Sequence, residues 1–209
     1  MSEGRRFFRG PARHADPLSV SELFSSLPAL STPRLTLRKM TMRDAADIYA
    51  YSRDPEVARH VLWEAHRSIM DTRAYLRFII RQYHEGTPSS YCMVLRETKR
   101  VIGTIGFMSY DQDNSIVEVG YSLAREHWGK GLTTEALSAV IDFAFRELRV
   151  HRVEAMHECD NPASGRVMSK CGMRHEGTLR ARVFNKGHYS DVELYAVTRE
   201  DWSIAHSPK

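Results

Sequence analysis

The spacing of hydrophobic residues along the chain predicts a mixed succession of helices and strands. Several segments carry apolar residues every three or four positions, which is the period of a helix with one buried face. Other segments alternate apolar with polar residues, as a half-buried strand does. The predicted helices cover about 20–27, 41–51, 68–84, 133–147 and 162–170, and the predicted strands cover about 35–37, 91–95, 101–108, 115–123, 152–157, 173–179 and 192–197.

Local start and stop signals support this succession. Thr41 is followed three residues later by Asp44, which is the pattern of a capping box, and Gly86 stands just past a helix. The order is an antiparallel meander followed by β-α-β-α-β-β, without a repeat or a linker. It predicts one α/β (α+β) domain at 18–209, with a mixed, mostly antiparallel sheet flanked by helices. Residues 1–17 are rich in Arg, Gly and Pro without apolar periodicity and are interpreted as a loose leader.

Composition and charge narrow the class of protein. Hydrophobic residues make up 42% and charged residues 27% of the 209 residues, which is typical of a globular chain. Lys and Arg number 30 against 26 for Asp and Glu, and this mild excess is spread along the chain, which argues against nucleic-acid binding. No apolar run reaches the roughly 18 residues that a membrane span needs. Three cysteines, an odd set, and the lack of a secretory signal predict reduced thiols and a cytoplasmic location.

The segment with the clearest chemistry joins a strand to a helix through two closely spaced glycines. Its sequence is Glu118-Val-Gly-Tyr-Ser-Leu-Ala-Arg-Glu-His-Trp-Gly-Lys-Gly-Leu-Thr-Thr-Glu135. The first N–H groups of a helix have no partner within it, so they converge on one point and bind anions. Gly129 and Gly131 let a phosphate approach the main chain with no Cβ in the way, and Lys130 adds positive charge. A tight turn without a ligand is the alternative, since short glycine motifs have many false positives and this one completes neither a dinucleotide nor a Walker motif.

This segment resembles the acyl-CoA-binding motif of the GNAT N-acetyltransferase superfamily. The stretch Trp128 to Leu137 is similar to its ribosomal-protein N-acetyltransferase (RimJ/RimL-like) branch. Further stretches resemble the same branch in the same order, namely Thr32 to Arg38, Asn161 to Arg180, and Gly187 to Asp191 with Tyr195. The resemblance spans about residues 27–202 and leaves the leader aside. It implies the GNAT fold and transfer of an acetyl group from acetyl-CoA to a primary amine by direct attack.

The resemblance also implies how acetyl-CoA is held. The backbone of the glycine turn would bind the pyrophosphate, the strand before it would hold the pantetheine arm, and the next helix would reach the thioester from the other side. Asn161 is equally well interpreted as a helix N-cap ahead of Pro162. The implied cofactor-binding residues are Tyr121, Ser122, Leu123, Trp128, Gly129, Lys130, Gly131, Leu132, Thr133, Thr134, Asn161 and Ser164.

Two residues are the candidate catalytic groups. Glu118 lies where some superfamily members carry the base that deprotonates the amine, although an ordinary strand carboxylate is the alternative. Ser164 lies where the branch resemblance places the acid for the leaving thiolate. The tyrosine that many relatives use as this acid is replaced here by Met168, which leaves a non-catalytic CoA-binding module as an alternative.

The chemistry of amines favours an N-terminal acceptor. An α-amino group with a pKa near 7.7–8.0 is about a tenth neutral at pH 7, whereas a lysine amine with a pKa near 10.4 is neutral about once in a few thousand. We therefore expect the acceptor to be a protein N-terminal α-amine, with a polyamine, an antibiotic or a small-metabolite amine as alternatives. Two predicted loops, Asp54–Arg67 and Arg180–Ser190, would face it, and their candidate substrate contacts are Trp63, Glu64, Phe184 and Tyr189.

The sequence does not lead us to expect a metal, and it is compatible with a homodimer. Two histidines and two cysteines could be arranged as a zinc site, but their spacing matches no common zinc finger. These four residues are His157, Cys159, Cys171 and His175.

Overall fold

The predicted elements assemble around one eight-stranded sheet. The computed structural model describes residues 19–207, so the predicted leader at 1–17 lies outside the described residues. The strands are β1 (Leu30–Ser31), β2 (Leu35–Lys39), β3 (Ser90–Leu95), β4 (Val101–Asp111), β5 (Ile116–Leu123), β6 (Arg152–Glu158), β7 (Arg174–Asn185) and β8 (His188–Thr198). The helices are α1 (Val20–Ser26), α2 (Ala45–Ser52), α3 (Pro55–Ala58), α4 (Ile69–Glu85), α5 (Leu132–Arg146), α6 (Pro162–Lys170) and α7 (Arg199–Ala205), with 3-10 turns at Met42–Asp44 and Arg125–His127.

The sheet has the strand order β1-β2-β3-β4-β5-β6-β8-β7. Every neighbouring pair is antiparallel except β5 and β6. These two strands are parallel because α5 connects them as a crossover. The predicted meander over β3, β4 and β5 is confirmed, and so is the single domain with a mixed, mostly antiparallel sheet.

Helices cover both faces of this sheet. On one face, Phe143 of α5 packs against Phe107 of β4 with ring centroids 6.1 Å apart. On the other face, Tyr51 of α2 and Tyr75 of α4 border a small pocket with Thr104 of β4. Phe107 and Thr104 are three residues apart on one strand, so they point to opposite faces. The predicted apolar stripe is buried, with Ala136, Leu137, Val140, Ile141 and Ala144 on α5 and Leu148 just beyond its end.

The start and stop signals of the sequence position the helices. The α4 helix begins at a capping box between Ser68 and Asp71 and ends at Gly86, whose φ of +65° is left-handed. Thr41 and Asp44 form the predicted capping box, although a 3-10 turn separates it from α2. In the described part of the chain, no helix combines the length and the apolar character that a membrane span requires.

The prediction of a loop at Arg180–Ser190 is wrong. β7 extends to Asn185 and β8 begins at His188, so this region is a long hairpin that turns at Lys186 and Gly187. β7 is the edge strand of the sheet and is exposed along most of its length. An exposed edge strand needs no alternation of apolar and polar residues, so the pattern that would reveal it is missing.

Three short elements were also missed. α3 lies inside the predicted loop Asp54–Arg67, where Asp54 caps the helix and Pro55 begins it. The others are the two-residue strand β1 and the C-terminal helix α7. Each contributes too few residues to the core to establish a period, although an Asp-Pro start is a helix signal in itself.

Candidate active site

β5 and β6 separate part-way along their length, and the gap between them defines the site. Their parallel register covers only the pairs from Ile116 opposite Arg152 to Glu118 opposite Glu154. Beyond Glu118, β5 continues to Leu123 paired with β4 alone, while β6 continues paired with β8 alone. The free edge of β5 therefore offers backbone donors and acceptors to an extended ligand, which can bind there as an added strand.

At the end of β5 the chain turns through Gly129 and Gly131 into α5. Both glycines are left-handed, with φ of +72° and +75°. Within residues 19–207, no hydrogen bond is donated by the backbone N–H groups from Gly129 to Thr134. Among the residues that the structure describes, a Cβ at Gly129 would meet nothing within 4 Å, and Lys130 between the glycines is exposed. A run of free amides at a helix N-terminus, with a cation beside it, is a site for an anion.

Side chains on both sides of the turn anchor it to the domain. Trp128 donates from Nε1 to the carbonyl of Leu123 at 2.7 Å, and about half of its indole surface is exposed. Leu132 is buried in the core at the first position of α5, so only its backbone is available to a ligand. Thr133 and Thr134 are half-buried in the first turn.

Ser122 of β5 directs its side chain away from the gap. Its Oγ lies 3.0 Å from Oγ1 of Thr104, and the residue is buried. The neighbouring Leu123 is buried as well. These two predicted cofactor-binding residues can therefore bind a ligand through their backbone groups but not through their side chains.

α6 borders the other side of the gap and carries Ser164. Its Oγ lies 2.7 Å from the phenol oxygen of Tyr121 on β5, and the phenol also donates to the Ser164 carbonyl at 3.2 Å. Burial raises the pKa of Tyr121, and the hydrogen bond with Ser164 offsets this only in part, so the phenol keeps its proton. Asn161 occupies the N-cap position of α6 before Pro162, but its side chain makes no capping hydrogen bond.

Glu118 lines a cavity of about 210 Å³ beside the last paired residues of β5 and β6. Asp111 and Glu154 also line this cavity, and among the described residues of its wall Arg182 of β7 is the one basic residue. Burial raises the pKa of Glu118, Arg182 lowers it and Glu154 raises it, and the net effect is a pKa above the ordinary glutamate value. A carboxylate with a raised pKa in a cavity is a candidate proton acceptor.

The four predicted substrate contacts lie in two separate places. Trp63 is half-buried against His66, with ring centroids 5.4 Å apart, while Glu64 is exposed. Phe184 and Tyr189 form an exposed edge-to-face pair on the β7–β8 hairpin, with centroids 5.0 Å apart. None of the four lines the Glu118 cavity. Their role in substrate binding stays a prediction.

The hairpin tip is tied to the segment that contains α3. Lys186 donates from Nζ to the carbonyls of Ala58 and Val61 at 2.9 and 2.6 Å. Next to it, the buried Asn185 donates to the Glu158 carboxylate at 3.1 Å. These contacts hold three elements together at the end of β6.

One trio of side chains has the proximity that a metal site needs. Among residues 19–207, only His60, Glu158 and Asp160 bring three such ligand atoms together. Ordinary polar contacts account for this trio, because His60 Nδ1 lies 3.0 Å from Glu158 and Asp160 also pairs with Arg59. The four residues considered from the sequence form no such group, and they are His157, Cys159, Cys171 and His175.

Comparison with known proteins decides the family. The sequence profile described as an acetyltransferase (GNAT) domain matches residues 34–174, which is more than half of the chain. The chain belongs to the GNAT acetyltransferase family. The expected fold is therefore confirmed, and the chain is an acetyl-CoA-dependent N-acetyltransferase.

Individual relatives place this GNAT acetyltransferase more closely. It is 34% identical over 177 residues to a Bacillus licheniformis protein named uncharacterized N-acetyltransferase p20, covering 85% of this chain and 99% of that protein. It is 30% identical over 185 residues to the ribosomal protein uS5-alanine N-acetyltransferase of Escherichia coli strain K12, covering 83% and 92%. A GNAT-family acetyltransferase from Bacillus anthracis superposes with a TM-score of 0.74 at 25% identity, covering 83% of this chain and 99% of that one. The resemblance to the RimJ/RimL-like branch is confirmed.

The residues of the GNAT site fit acetyl-CoA. The free amides from Gly129 to Thr134 match a diphosphate, and the absence of a Cβ at Gly129 and Gly131 keeps the approach open. The free edge of β5 matches the amide groups of a pantetheine arm.

Sequence reasoning missed several residues of this site. Arg182 and Glu154 join Glu118 in one cavity, although they come from three different strands. Tyr121 was expected to bind the cofactor, and its contact with Ser164, 43 residues away, has no signal in the sequence. The replaced tyrosine position, Met168, lies in the core, and a phenol reaches Ser164 from β5 instead.

Proposed function

We propose that this GNAT acetyltransferase acetylates the α-amine of a protein N-terminus. The observation that carries the proposal is the cavity of Glu118, which lies at the last paired residues before the gap between β5 and β6. An amine in that cavity would stand beside the end of an arm lying along β5. The name of the 30% identical uS5-alanine N-acetyltransferase supports the same acceptor class. A cytoplasmic location and a homodimer stay predictions.

In this proposal, backbone groups hold most of the cofactor. The amides from Gly129 to Thr134 bind the diphosphate, with Lys130 as a neighbouring cation. The free edge of β5 binds the pantetheine arm, and Asn161 reaches the arm from the start of α6. Acetyl-CoA supplies the acetyl thioester.

Glu118 and Ser164 carry out the two proton transfers of the reaction. Glu118 accepts a proton from the ammonium form of the acceptor, so that a neutral amine is present in the cavity. Ser164 donates its hydroxyl proton toward the departing sulfur, and the single phenol proton of Tyr121 turns from the Ser164 carbonyl to Ser164 Oγ across the 2.7 Å contact. Because burial raises the pKa of Tyr121, the phenol remains protonated and able to donate.

The α-amine suits a single base of this kind. Its pKa near 7.7–8.0 leaves a smaller gap to a glutamate whose pKa is raised by burial than the pKa of a lysine amine does, since a lysine amine near 10.4 demands a stronger base or a desolvated site. The cavity of about 210 Å³ is small, which favours an amine beside a short side chain. Exposed aromatics on the hairpin, Phe184 and Tyr189, would contact the residues that follow.

A diamine or polyamine is the second candidate acceptor. The observation that favours it is the set of three carboxylates in the cavity wall, Asp111, Glu118 and Glu154, against one arginine. An excess of acids attracts an acceptor with more than one positive charge.

A mass-spectrometric screen of acceptors tests the proposal. The panel contains peptides with a free α-amine and no lysine, the same peptides with an acetylated N-terminus and one lysine, and a series of polyamines. We expect acetylation and stoichiometric CoA release with the first group. Acetylation of polyamines alone would establish the second candidate, and acetylation of the lysine peptides alone would contradict both.

Removing the hydroxyl of Ser164 is expected to slow catalysis without weakening cofactor binding. Ser164→Ala should lower kcat about 10²-fold, the size of a lost general acid, while calorimetry gives an unchanged Kd for acetyl-CoA. Tyr121→Phe keeps the ring and removes the second donor, so it should lower kcat in the same direction. The matched control is Ser169→Ala on the same helix, whose Oγ donates to the carbonyl of Gly165 and makes no other hydrogen bond in the described part of the chain. A wild-type rate in Ser164→Ala would remove this serine from the mechanism.

The pH dependence of kcat/KM should shift in opposite directions when the two charged neighbours of Glu118 are neutralised. A base works when it is ionised, so kcat/KM rises as pH increases through the raised pKa of Glu118. Arg182→Gln removes the neighbour that lowers this pKa, so the acidic limb moves to higher pH. Glu154→Gln removes the neighbour that raises it, so the limb moves to lower pH. Shifts of equal sign, or none, would contradict the role of Glu118.

A further inference from the structure

Arg34, just before β2, reaches across to the glycine turn and to α5. Its Nη1 donates to the carbonyl of Lys130 at 2.9 Å. Its Nε donates to Oε2 of Glu135 at 2.7 Å, and its backbone N–H donates to Oε1 of the same carboxylate at 2.7 Å. Thr32 adds a fourth bond from Oγ1 to Glu135 at 2.5 Å. Arg34 thus contacts both Lys130 within the glycine turn and Glu135 in the first turn of α5, and Thr32 reinforces the contact with Glu135.

The bond to Lys130 sets the direction of an amide that the cofactor needs. The peptide unit between Lys130 and Gly131 is planar and trans, so its carbonyl and its N–H point in opposite directions. Arg34 holds the carbonyl on one side, and the N–H of Gly131 is therefore directed to the other side, where no protein group accepts it within residues 19–207.

Glu135 places a negative charge beside the proposed anion site, and Arg34 neutralises this charge. A carboxylate in the first turn of α5 competes with a bound anion for the positive end of the helix. Burial alone would raise the pKa of Glu135, but the bonds from Thr32 and Arg34 outweigh it and hold the pKa below the ordinary value. The carboxylate is therefore ionised at neutral pH, and Arg34 neutralises it at 2.7 Å.

The guanidinium of Arg34 has a third nitrogen, Nη2, that can donate to a ligand. Nη2 has no hydrogen-bond partner within residues 19–207, and it lies 3.7 Å from the point where a Cβ of Gly131 would stand. The Arg34 side chain is about half exposed, and Nη2 lies beside Gly131 of the turn. An arginine fork can bond the protein with two nitrogens and still present the third to a phosphate.

We propose that Arg34 is a positioning residue for acetyl-CoA, which together with Glu135 orients the amides of the glycine turn and presents Nη2 to the diphosphate. The inference rests on the proposed placement of the diphosphate at the amides from Gly129 to Thr134. Arg34 touches no reacting atom, so its removal should affect cofactor binding and leave the chemical step intact.

Calorimetric titration with acetyl-CoA tests this inference on the full chain. We expect Arg34→Ala to raise the Kd about 10- to 100-fold, the size of two lost charge-assisted hydrogen bonds. Arg34→Lys should raise it nearly as much, because a lysine keeps the charge but lacks the fork. Glu135→Gln should raise it by a smaller factor, since the amide oxygen still accepts from Thr32 Oγ1 and the Arg34 N–H, whereas the NH2 group cannot accept from Arg34 Nε. In steady state, KM for acetyl-CoA should rise in each variant while kcat at saturation stays within about twofold.

The control variant is Arg100→Ala. Arg100 is likewise an exposed arginine that pairs with a carboxylate at 2.7 Å, but this carboxylate, Asp47, belongs to α2, on the face of the sheet opposite α5. It should bind acetyl-CoA as the wild type does. If Arg34→Ala does not fold, as judged by circular dichroism, the Kd of Arg34→Lys for acetyl-CoA tests the inference in its place.

Each outcome separates this inference from the proposed function. If the wild type binds acetyl-CoA and the Arg34 variants bind it equally well, the positioning role is overturned and the diphosphate placement is untouched. If kcat falls while Kd is unchanged, Arg34 acts on the chemical step and the inference is wrong. Failure of the wild type to bind acetyl-CoA would overturn the proposed function itself.

Discussion

Gly131→Val is expected to abolish measurable acetyl-CoA binding while the domain stays folded. The φ of Gly131 is +75°, and a side chain there costs about 1–2 kcal/mol in backbone strain, more for a β-branched residue. That cost is small against the roughly 5–15 kcal/mol of a typical domain. The new side chain would stand beside the free amides and prevent a phosphate from reaching them, so we expect Kd to rise by at least about 100-fold, as several charge-assisted bonds are lost.

The control for Gly131→Val is Gly187→Val. Gly187 is also left-handed, with a φ of +85° and nothing within 4 Å of a Cβ, but it lies in the turn of the β7–β8 hairpin. The two variants should lose similar thermal stability, whereas only Gly131→Val should lose the calorimetric signal for acetyl-CoA. Equal binding by both variants would place the diphosphate elsewhere.

Glu118→Gln is expected to lower kcat/KM for the amine by about 10²- to 10⁴-fold, the usual contribution of a general base. The substitution keeps the shape of the side chain and removes its ability to take a proton. The Kd for acetyl-CoA should not change, because the glycine turn lies at the far end of β5. The acidic limb set by Glu118 should also disappear, which leaves the titration of the amine itself, with a pKa near 7.7–8.0, to set the pH dependence.

A control for this variant is Glu97→Gln, which neutralises a carboxylate in the turn between β3 and β4. It should leave both the rate and the pH profile unchanged. Retention of more than half of the wild-type rate by Glu118→Gln would rule out this carboxylate as the base. A loss of rate with an unchanged acidic limb would assign the base to another residue.

The elements that the sequence predicted well are those whose local signals agree with one another. α4 has a capping box at Ser68, an apolar period and a glycine stop at Gly86, and all three act within a few residues. The edge strand β7 depends instead on its pairing with β8, which is a nonlocal contact. An edge strand that is mostly exposed carries no period, so the sequence predicts strands only at 173–179 and 192–197 and a loop for the outer part of the hairpin.

In the candidate site, too, the features set by local sequence can be predicted and those set by contacts between distant residues cannot. The free amides at Gly129 and Gly131 follow from local geometry that two glycines before a helix impose. The contacts of Arg34 with Glu135 and of Tyr121 with Ser164 join residues 101 and 43 positions apart. Only the folded sheet brings such partners together, so a single sequence contains no pattern that reveals them.

A crystal structure of the chain with acetyl-CoA shows directly where the cofactor binds. We expect the diphosphate within hydrogen-bond distance of the amides from Gly129 to Thr134, with the arm along the free edge of β5 and the thioester between Glu118 and Ser164. Acetyl-CoA bound at any other surface, with those amides still free, would contradict this placement.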